Sequence, residues 1–268
     1  MQAEGAATGT VREARKILRL VLKTAVEAGA IKTNPCDGVR LARSEPEEML
    51  FLTMDELLAL SDAMRRPEYG LLVRFAGLTG LRAGEIGALR VGRVDLLRRR
   101  IDVVENVSEV NGHGLVYGPT KTYERRSVPL PAALADELAV LVRDRAGDRD
   151  AFVFTSPTGA PLRHHNFSER HFKPAVRRAG LPDGLRFHDL RHTCAALLIN
   201  SDPPAHPLAV MKRLGHSSIT GTYDTYGHLF PALDEALTAS MDRSYRAARS
   251  SSNRSPVSVT VINATIRR

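Results

Sequence analysis

The sequence predicts a mainly α-helical protein of the α+β class with a small antiparallel β-sheet. Apolar residues recur every three or four positions in several separate segments, which indicates amphipathic helices. A β-branched segment at 100–107 is followed by the turn signal Asn111-Gly112, which indicates strands joined by a hairpin. The length of 268 residues suits one domain of ordinary size with smaller appendages.

The first element is a helix at residues 10–30, where apolar residues from Ile17 to Val26 form one stripe before Gly29. A charged stretch with little periodicity then runs from Pro35 to Pro46 and predicts a linker. A single helix cannot bury a core of its own, because isolated helices are marginal in water and small domains need more apolar area. The N-terminal residues are therefore not expected to form an independent domain.

The next three helices begin with clear signals. Thr53 and Glu56 have the spacing of a capping box. A second helix is predicted over residues 68–78, and a third begins near Arg82 after Gly80.

Two further strands, at 115–117 and 127–130, follow the 100–107 strand and place Lys121 near a turn. Helices are then predicted at 131–145 and 167–178. Another predicted helix covers residues 207–214 and ends at Gly215, a residue suited to a left-handed C-terminal cap.

Charge and composition indicate which kinds of molecule the protein binds and in which compartment it works. The net charge of +8 favours a polyanion, although it does not separate nucleic acid from an anionic membrane surface. No apolar run approaches the ~18 residues of a membrane span. Cys36 and Cys194 form no Cys-x-x-Cys pair and are interpreted as free thiols, so we expect a cytoplasmic protein.

Chemistry-bearing residues concentrate between positions 187 and 229. His188 and Arg191 stand three apart and share a face if they lie on a helix, and Tyr226 follows His216 by ten residues. A guanidinium binds phosphate bidentately, and a tyrosine hydroxyl is a nucleophile that could attack its phosphorus. This set predicts phosphoryl transfer through a covalent tyrosyl intermediate, which needs no nucleotide as an energy source.

A second basic cluster lies upstream and strengthens that hypothesis. Arg82 follows Gly80-Leu81 at the start of a helix, and Glu85 lies on the same face three residues later. Two arginines could hold both non-bridging oxygens of one phosphodiester while a tyrosine attacks in line.

With these motifs, residues 48–235 resemble a tyrosine recombinase of the phage integrase family. The resemblance rests on four boxes in the family's order: Thr79 to Arg82, Lys121, His188 with Arg191, and His216 followed by Tyr226. It implies an integrase-like catalytic fold and assigns a catalytic set. That set comprises Arg82, Lys121, His188, Arg191, His216, Tyr226 and the acidic Glu85.

The resemblance also implies roles for these residues. Arg82 and Arg191 would clamp the scissile phosphate, and Tyr226 would form a 3′-phosphotyrosyl link. Lys121 would protonate the departing 5′ oxygen, His188 and His216 would assist proton transfer, and Glu85 would orient its neighbours. No cofactor and no metal are implied.

The implied partner is double-stranded DNA with a specific recombination site, bound by a homo-oligomer, a tetramer, with no membrane and no nucleotide. The predicted organisation has three parts: residues 1–40 as the last helix of a core-binding domain, 48–245 as the catalytic domain, and 246–268 as a disordered tail. In the family that the chain resembles, a helical core-binding domain precedes the catalytic domain and closes a clamp around the duplex. Because only its last helix is expected here, we expect this chain alone to bind DNA weakly, with a shallow salt dependence, and to recombine it poorly.

Two alternatives remain open. The first is a non-catalytic DNA-binding remnant of a mobile-element integrase, which predicts no covalent complex. The second is a zinc peptidase, because His188-Asp189-Leu190-Arg191-His192 superficially resembles a His-Glu-x-x-His helix. Aspartate is shorter than the usual glutamate base, and Arg191 would add positive charge beside a dication, so this alternative is disfavoured. The sequence specifies neither the DNA site nor the direction of exchange.

Overall fold

The structure is a computed structural model that describes residues 8–41, 49–110, 112–120, 125–230 and 233–251. The chain divides into two compact units, residues 1–49 and residues 50–268. Among the described residues, no helix combines the length and the apolar character that a membrane span needs.

The first unit is built around helix α1, Thr8–Glu27, close to the predicted position. The chain turns after this helix at Gly29, which has a φ of 71° in the left-handed region that glycine tolerates. The following loop folds back on the helix, since Arg15 donates a hydrogen bond to the carbonyl oxygen of Cys36 at 3.1 Å. Asn34 in turn donates to the carbonyl oxygen of Arg19 at 2.9 Å.

The second unit contains the other helices that the structure describes. They are α2 Met54–Asp62, α3 Pro67–Thr79, α4 Ala83–Gly87, α5 Ala132–Val142, α6 His164–Phe167, α7 Lys173–Arg178, α8 Asp189–Ile199, α9 Pro207–Leu214, α10 Ile219–Tyr226 and α11 Leu233–Ser251. Helices α6 and α7 are joined by a π-helical stretch at Ser168–Phe172, so the predicted helix at 167–178 is one continuous segment that begins three residues earlier.

The strands form two small antiparallel sheets. They are β1 Val94–Asp95, β2 Arg100–Val103, β3 Glu105–Val110, β4 Gly114–Pro119 and β5 Arg126–Pro129. The first sheet has the order β1-β2-β5, and the second is the hairpin of β3 and β4. The predicted strand at 100–107 is wrong in one respect, because it breaks at Val104 and its two halves belong to different sheets.

Helix α3 forms the centre of the hydrophobic core and packs against α2, α5 and α8. Pro67 begins this helix, where the missing N–H removes no intrahelical hydrogen bond, and Leu72 and Phe75 are fully buried on it. The predicted capping box before α2 is present, since Thr53 and Glu56 satisfy each other's backbone groups. Helix α4 follows α3 after a short turn, and α8 packs against α3. Helix α3 therefore helps to position both Arg82, at the start of α4, and Arg191, on α8.

A second, smaller apolar cluster joins α8, α9 and α10. It consists of Ala195, Ile199, Val210, Leu214 and Tyr226. Helix α9 ends at Gly215 with φ 66° and ψ 50°, as the sequence predicts. This cap reverses the chain into α10, and the last residue of α10 then points back into the cluster.

The C-terminal helix α11 extends to Ser251. The predicted tail at 246–268 therefore begins inside a helix, and residues 252–268 lie outside the described part of the chain. Lys121 and Asn111 also lie outside the described residues.

Candidate active site

Gly80 places the first arginine. It ends α3 with φ 68°, and a Cβ atom here would lie 2.6 Å from Cδ2 of Leu214, so both conformation and space require glycine. The tight turn sets Arg82 at the N-cap position of α4 with an extended backbone. The Arg82 side chain then reaches across to α9, where its Nη2 donates to the carbonyl oxygen of Gly215 at 3.1 Å.

Glu85 holds Arg82 from inside the core. Its carboxylate accepts from the backbone N–H of Arg82 at 2.8 Å and from Nη1 of Arg82 at 3.1 Å. The residue is 3% exposed. Burial by itself raises the pKa of Glu85, but the hydrogen bonds and positive charges of Arg126 and Arg82 outweigh it and hold the pKa below its ordinary value. Glu85 is therefore an ionised buried anchor.

Arg126 on β5 is a residue of this site that the sequence reasoning missed. Its Nη1 and Nη2 donate to the two carboxylate oxygens of Glu85 at 2.8 and 2.7 Å, a fork geometry that fixes both groups. Its Nε also donates to the carbonyl oxygen of Arg213 at 3.3 Å, near the end of α9. A Cβ on Gly215 would lie 2.9 Å from this guanidinium. Arg126 thus joins β5, α4 and the loop after α9.

Arg191 projects from α8 into the same region and is 4% exposed. Its Nη1 donates to the carbonyl oxygen of Gly80 at 2.6 Å, whereas its Nη2 is buried and has no hydrogen-bond partner among the residues that the structure describes. Burial, followed by the nearby charge of Arg82, lowers the pKa of Arg191 to about 10, so the side chain stays protonated at neutral pH. A buried donor without a partner costs about 1–3 kcal/mol, more if charged, and marks a place where an acceptor could bind.

His216 follows the glycine cap. Its Nδ1 lies 2.9 Å from Oγ1 of Thr222, and its ring stacks parallel to the ring of Tyr226 with centroids 6.2 Å apart. Burial and the positive charges of Arg191 and Arg82 lower the pKa of His216 to about 4. At neutral pH this imidazole is therefore neutral.

Tyr226 is 1% exposed, and its hydroxyl lies 2.8 Å from Nδ1 of His192. Burial raises the pKa of Tyr226 to about 12. The other tyrosine of α10, Tyr223, is 49% exposed and packs against Phe230, with ring centroids 5.7 Å apart. The two side chains therefore lie in different environments although they are three residues apart, and Tyr226 belongs to the arginine site.

His188 lies at the N-terminal end of α8, and its ring meets that of His192 edge-on with centroids 5.4 Å apart. Partial burial is the main cause that lowers the pKa of His188 to about 4, and the neighbouring His192 and Arg191 lower it further. Between the two histidines, the Asp189 carboxylate accepts from the backbone N–H of Arg186 at 2.7 Å and from its Nη2 at 3.1 Å. Asp189 is thus engaged by Arg186, which disfavours it as the base of a peptidase.

The structure brings most of the predicted site residues together. Arg82 and Glu85 pair directly, Arg191 reaches the turn before them, and His216 stacks on Tyr226. An open cleft of about 430 Å³ borders Arg82 and His216. Lys121 lies outside the described residues, so its position relative to the cleft stays a prediction.

His192 is the second residue that the sequence reasoning left out of the site. The available signal was its spacing, because His188 and His192 are four residues apart and must share a helical face. For Arg126 the signal was its position five residues after Lys121 on a strand, two residues before Val128 and therefore on the same inward face. Neither signal identifies a partner, because Tyr226, the partner of His192, and Glu85, the partner of Arg126, are distant in sequence.

Chemically, the site combines the guanidinium groups of Arg82, Arg126 and Arg191 with a phenol and three imidazoles, and among the described residues Nη2 of Arg191 is a buried donor without a partner. Such a set can bind one tetrahedral anion and present an oxygen nucleophile to it.

Known proteins resemble this chain in sequence and in fold. Residues 50–232 match the model of the phage integrase family. The chain is 29% identical over 254 residues to the ICEBs1 integrase of Bacillus subtilis, covering 89% of this chain and 66% of that protein. It covers 64% of a XerC-like tyrosine recombinase from Caldanaerobacter subterraneus, to which it is 25% identical over 85% of its own length. The chain thus spans less than two thirds of these curated relatives.

Solved structures show the same fold. The Tn1549 transposon integrase in complex with a circular intermediate DNA has a TM-score of 0.76 at 22% identity, over 91% of this chain and 82% of that one. This likeness confirms the predicted mainly helical fold with small antiparallel sheets.

Proposed function

The chain belongs to the phage integrase family, and from this premise we propose that it is a site-specific DNA recombinase of the tyrosine type. It breaks and rejoins DNA strands through a 3′-phosphotyrosyl intermediate, as the integrase of a mobile element does. The observation that carries the proposal is Nη2 of Arg191, which is buried near Arg82 and Tyr226 and finds no acceptor in the described part of the chain.

A scissile phosphate would supply the acceptor that this nitrogen lacks. Arg191 is held by the carbonyl oxygen of Gly80, and Arg82 is held by Glu85 and Gly215, so both guanidinium groups are oriented before DNA binds. Donors that need no reorganisation stabilise developing negative charge most effectively. This geometry supports a role for both arginines in the transition state.

In the proposed cleavage step, the Tyr226 hydroxyl gives its proton to an imidazole of the site as its oxygen bonds to phosphorus. The bond from phosphorus to the 5′ oxygen breaks. The leaving 5′ oxygen takes a proton from Lys121, while Arg82 and Arg191 hold the non-bridging oxygens. His188 and His216 assist with oxygen contacts and proton transfer, and Glu85 orients Arg82. The number of phosphodiester-type bonds is unchanged, so the exchange needs no nucleotide as an energy source. The proposal includes no cofactor and no metal.

The partner would be double-stranded DNA that carries a recombination site. The net charge of +8 supports a polyanionic partner. A lambda integrase dimer has been solved bound to a core site, with a TM-score of 0.56 to this chain, 22% identity, and coverage of 80% of this chain and 74% of that one. By analogy we propose a homo-oligomer on DNA, a tetramer during exchange, in the cytoplasm.

A non-catalytic DNA-binding protein is the second candidate. The observation that favours it is the burial of Tyr226, because a nucleophile that is 1% exposed cannot reach a phosphate in the conformation described. The recombinase proposal requires the groups that cover the Tyr226 hydroxyl to move aside when DNA binds, while its contact with His192 on α8 is kept. Such rearrangements of 2 Å or more accompany a minority of binding events.

One experiment separates the two candidates. The purified chain is incubated with nicked duplexes that tile the DNA flanking its coding sequence, and the products are resolved by denaturing electrophoresis. Because the short strand beyond the nick diffuses away, a recombinase accumulates a covalent protein–DNA adduct that is sensitive to protease. Retarded but wholly non-covalent complexes on every duplex would establish the DNA-binding alternative.

A further inference from the structure

The Tyr226 hydroxyl contacts an imidazole outside the predicted catalytic set. Nδ1 of His192 lies 2.8 Å from this oxygen, a normal hydrogen-bond distance. His192 projects from α8, and Tyr226 ends α10. The two residues are 34 positions apart, so their contact depends on how the two helices pack.

The other two histidines of the site do not present a nitrogen to the tyrosine in this way. His216 lays the face of its ring parallel to the Tyr226 ring at an interplanar angle of 4°, and its Nδ1 is engaged by Thr222 at 2.9 Å. His188 meets the edge of the His192 ring. Within the described residues, His192 is the imidazole placed to exchange a proton with the tyrosine.

A nucleophilic Tyr226 needs such a partner. Its hydroxyl is shielded from bulk water, and burial raises its pKa to about 12, so the phenol keeps its proton at neutral pH. Burial also lowers the pKa of His192 below its ordinary value, with a further lowering from Arg191 and a raising from Asp189. His192 is therefore neutral, and its Nδ1 can accept a hydrogen bond.

We propose that His192 is a catalytic residue, the general base that takes the proton of the Tyr226 hydroxyl as the tyrosyl oxygen bonds to phosphorus. The inference rests on the proposed recombinase function. During cleavage the O–H bond of Tyr226 breaks and the proton moves to Nδ1, which leaves an imidazolium. During rejoining the 5′ hydroxyl attacks phosphorus and gives its proton back to Lys121, the bond to the tyrosyl oxygen breaks, and Nδ1 returns the proton to that oxygen.

The surroundings of His192 suit a transient imidazolium. Asp189 lies three residues earlier on the same helix and favours the charged form, whereas Arg191 and Arg186 disfavour it. The balance keeps the base neutral before attack and lets the proton return afterwards. General base catalysis by a positioned side chain contributes about 10²–10⁴-fold to a rate.

The decisive variant is His192→Asn. The asparagine amide group occupies the place of Nδ1 and can still hydrogen-bond the tyrosine, but it cannot accept a proton. We expect single-turnover formation of the covalent adduct, measured with saturating nicked DNA, to slow by about 10²-fold or more. His165→Gln, an exposed histidine on α6, is the matched control and should react like the wild type. Equal unfolding midpoints for the three proteins would show that the loss is not a folding defect.

A substrate with a sulfur leaving group distinguishes a general base, which acts on the tyrosine, from a general acid, which acts on the leaving group. In a duplex with a 5′-bridging phosphorothiolate at the scissile position, the thiolate leaves without protonation. This substrate should restore a Lys121→Ala variant, because Lys121 is the proposed acid, and should leave His192→Asn slow. If sulfur restored His192→Asn to the wild-type rate, His192 would act on the leaving group and the base assignment would be wrong.

The outcomes also distinguish this inference from the function on which it rests. A wild-type chain that forms no adduct with any flanking duplex contradicts the recombinase proposal itself. A wild-type chain that forms the adduct, together with a His192→Asn variant that forms it equally fast, contradicts only the role of His192. In that case the asparagine result would identify the histidine as a hydrogen-bonding support for the tyrosine.

Discussion

Arg126 donates two hydrogen bonds to the Glu85 carboxylate, one to each oxygen. The carboxylate also accepts two hydrogen bonds from Arg82, so a strand residue indirectly fixes the arginine at the start of α4. The Arg126 side chain is 13% exposed and that of Glu85 is 1% exposed, so solvent replaces little of this pairing. Removing Arg126 would leave the buried carboxylate with Arg82 as its remaining charged partner in the described structure, and that side chain is 27% exposed.

The first prediction follows from that pair. Arg126→Met should lower the free energy of unfolding by about 3–5 kcal/mol, since one partner of a buried ion pair is lost. Arg126→Lys should cost less but should also slow cleavage, because lysine keeps the charge and loses the fork that orients Glu85. Urea unfolding and adduct formation measure the two effects.

The control for Arg126 is Arg98→Met. Arg98 pairs with Asp95 at 3.7 Å, and its side chain is 83% exposed. Surface pairs contribute about 0–1 kcal/mol, so this variant should be nearly as stable as the wild type. If Arg126→Met and Arg98→Met lowered the free energy of unfolding equally, the buried pair would contribute no more to stability than the surface pair.

The second prediction concerns the nucleophile. Tyr226→Phe should abolish the covalent adduct and leave DNA binding nearly intact, because only the hydroxyl is lost. Tyr223→Phe, on the exposed side of α10, should still form the adduct. An adduct that survives the first change and disappears with the second would transfer the assignment to Tyr223. Denaturing electrophoresis and a gel-shift titration provide the readouts.

The third prediction separates rate from affinity. Arg82→Ala and Arg191→Ala should each slow cleavage at saturating DNA by about 10²–10³-fold, because each removes a preoriented donor to developing charge. DNA affinity should fall only modestly, since one phosphate contact among many is lost. Single-turnover rates and equilibrium binding at one fixed salt concentration test this. Parallel losses in both quantities would make the two arginines ordinary backbone contacts.

The fourth prediction uses two glycines with the same backbone conformation. Gly80 and Gly180 both have φ 68°, but a Cβ on Gly80 would meet Leu214 at 2.6 Å, whereas a Cβ on Gly180 has nothing within 4 Å. Gly180→Ala should therefore cost about 1–2 kcal/mol, the price of a left-handed residue.

Gly80→Ala should cost clearly more than Gly180→Ala, and it should displace the carbonyl oxygen that holds Arg191. Stability is measured by urea unfolding and site integrity by the cleavage rate. If the two alanine variants had the same stability and the same activity, the close approach of α3 and α9 at Gly80 would not be required.

The fifth prediction is a pH dependence of stability. Folding lowers the pKa of His216 from 6.5 to about 4, so between these values the unfolded chain binds more protons. The stabilisation is complete above pH 6.5 and declines as the pH falls towards 4. His216→Gln should flatten the curve of unfolding free energy against pH in this window, as measured by urea titrations at several pH values. An unchanged slope would contradict the lowered pKa.

The sequence alone determined the class of fold and most helix ends. Local physics sets those features, because a capping box at Thr53 and a glycine cap at Gly215 act within a few residues of the chain. It also indicated the chemistry, because guanidinium groups and a tyrosine hydroxyl suit phosphoryl transfer wherever they meet.

Tertiary structure alone decided which groups touch. The break at Val104 splits one β-branched segment between two sheets, a choice made by strand partners that local propensity does not specify. Likewise, Arg126 meets Glu85 across 41 residues, and His192 meets Tyr226 across 34 residues. Sequence patterns fix neighbours three or four positions apart on a helix, whereas contacts between distant elements depend on how those elements pack, and the proton partner of the tyrosine is one of these contacts.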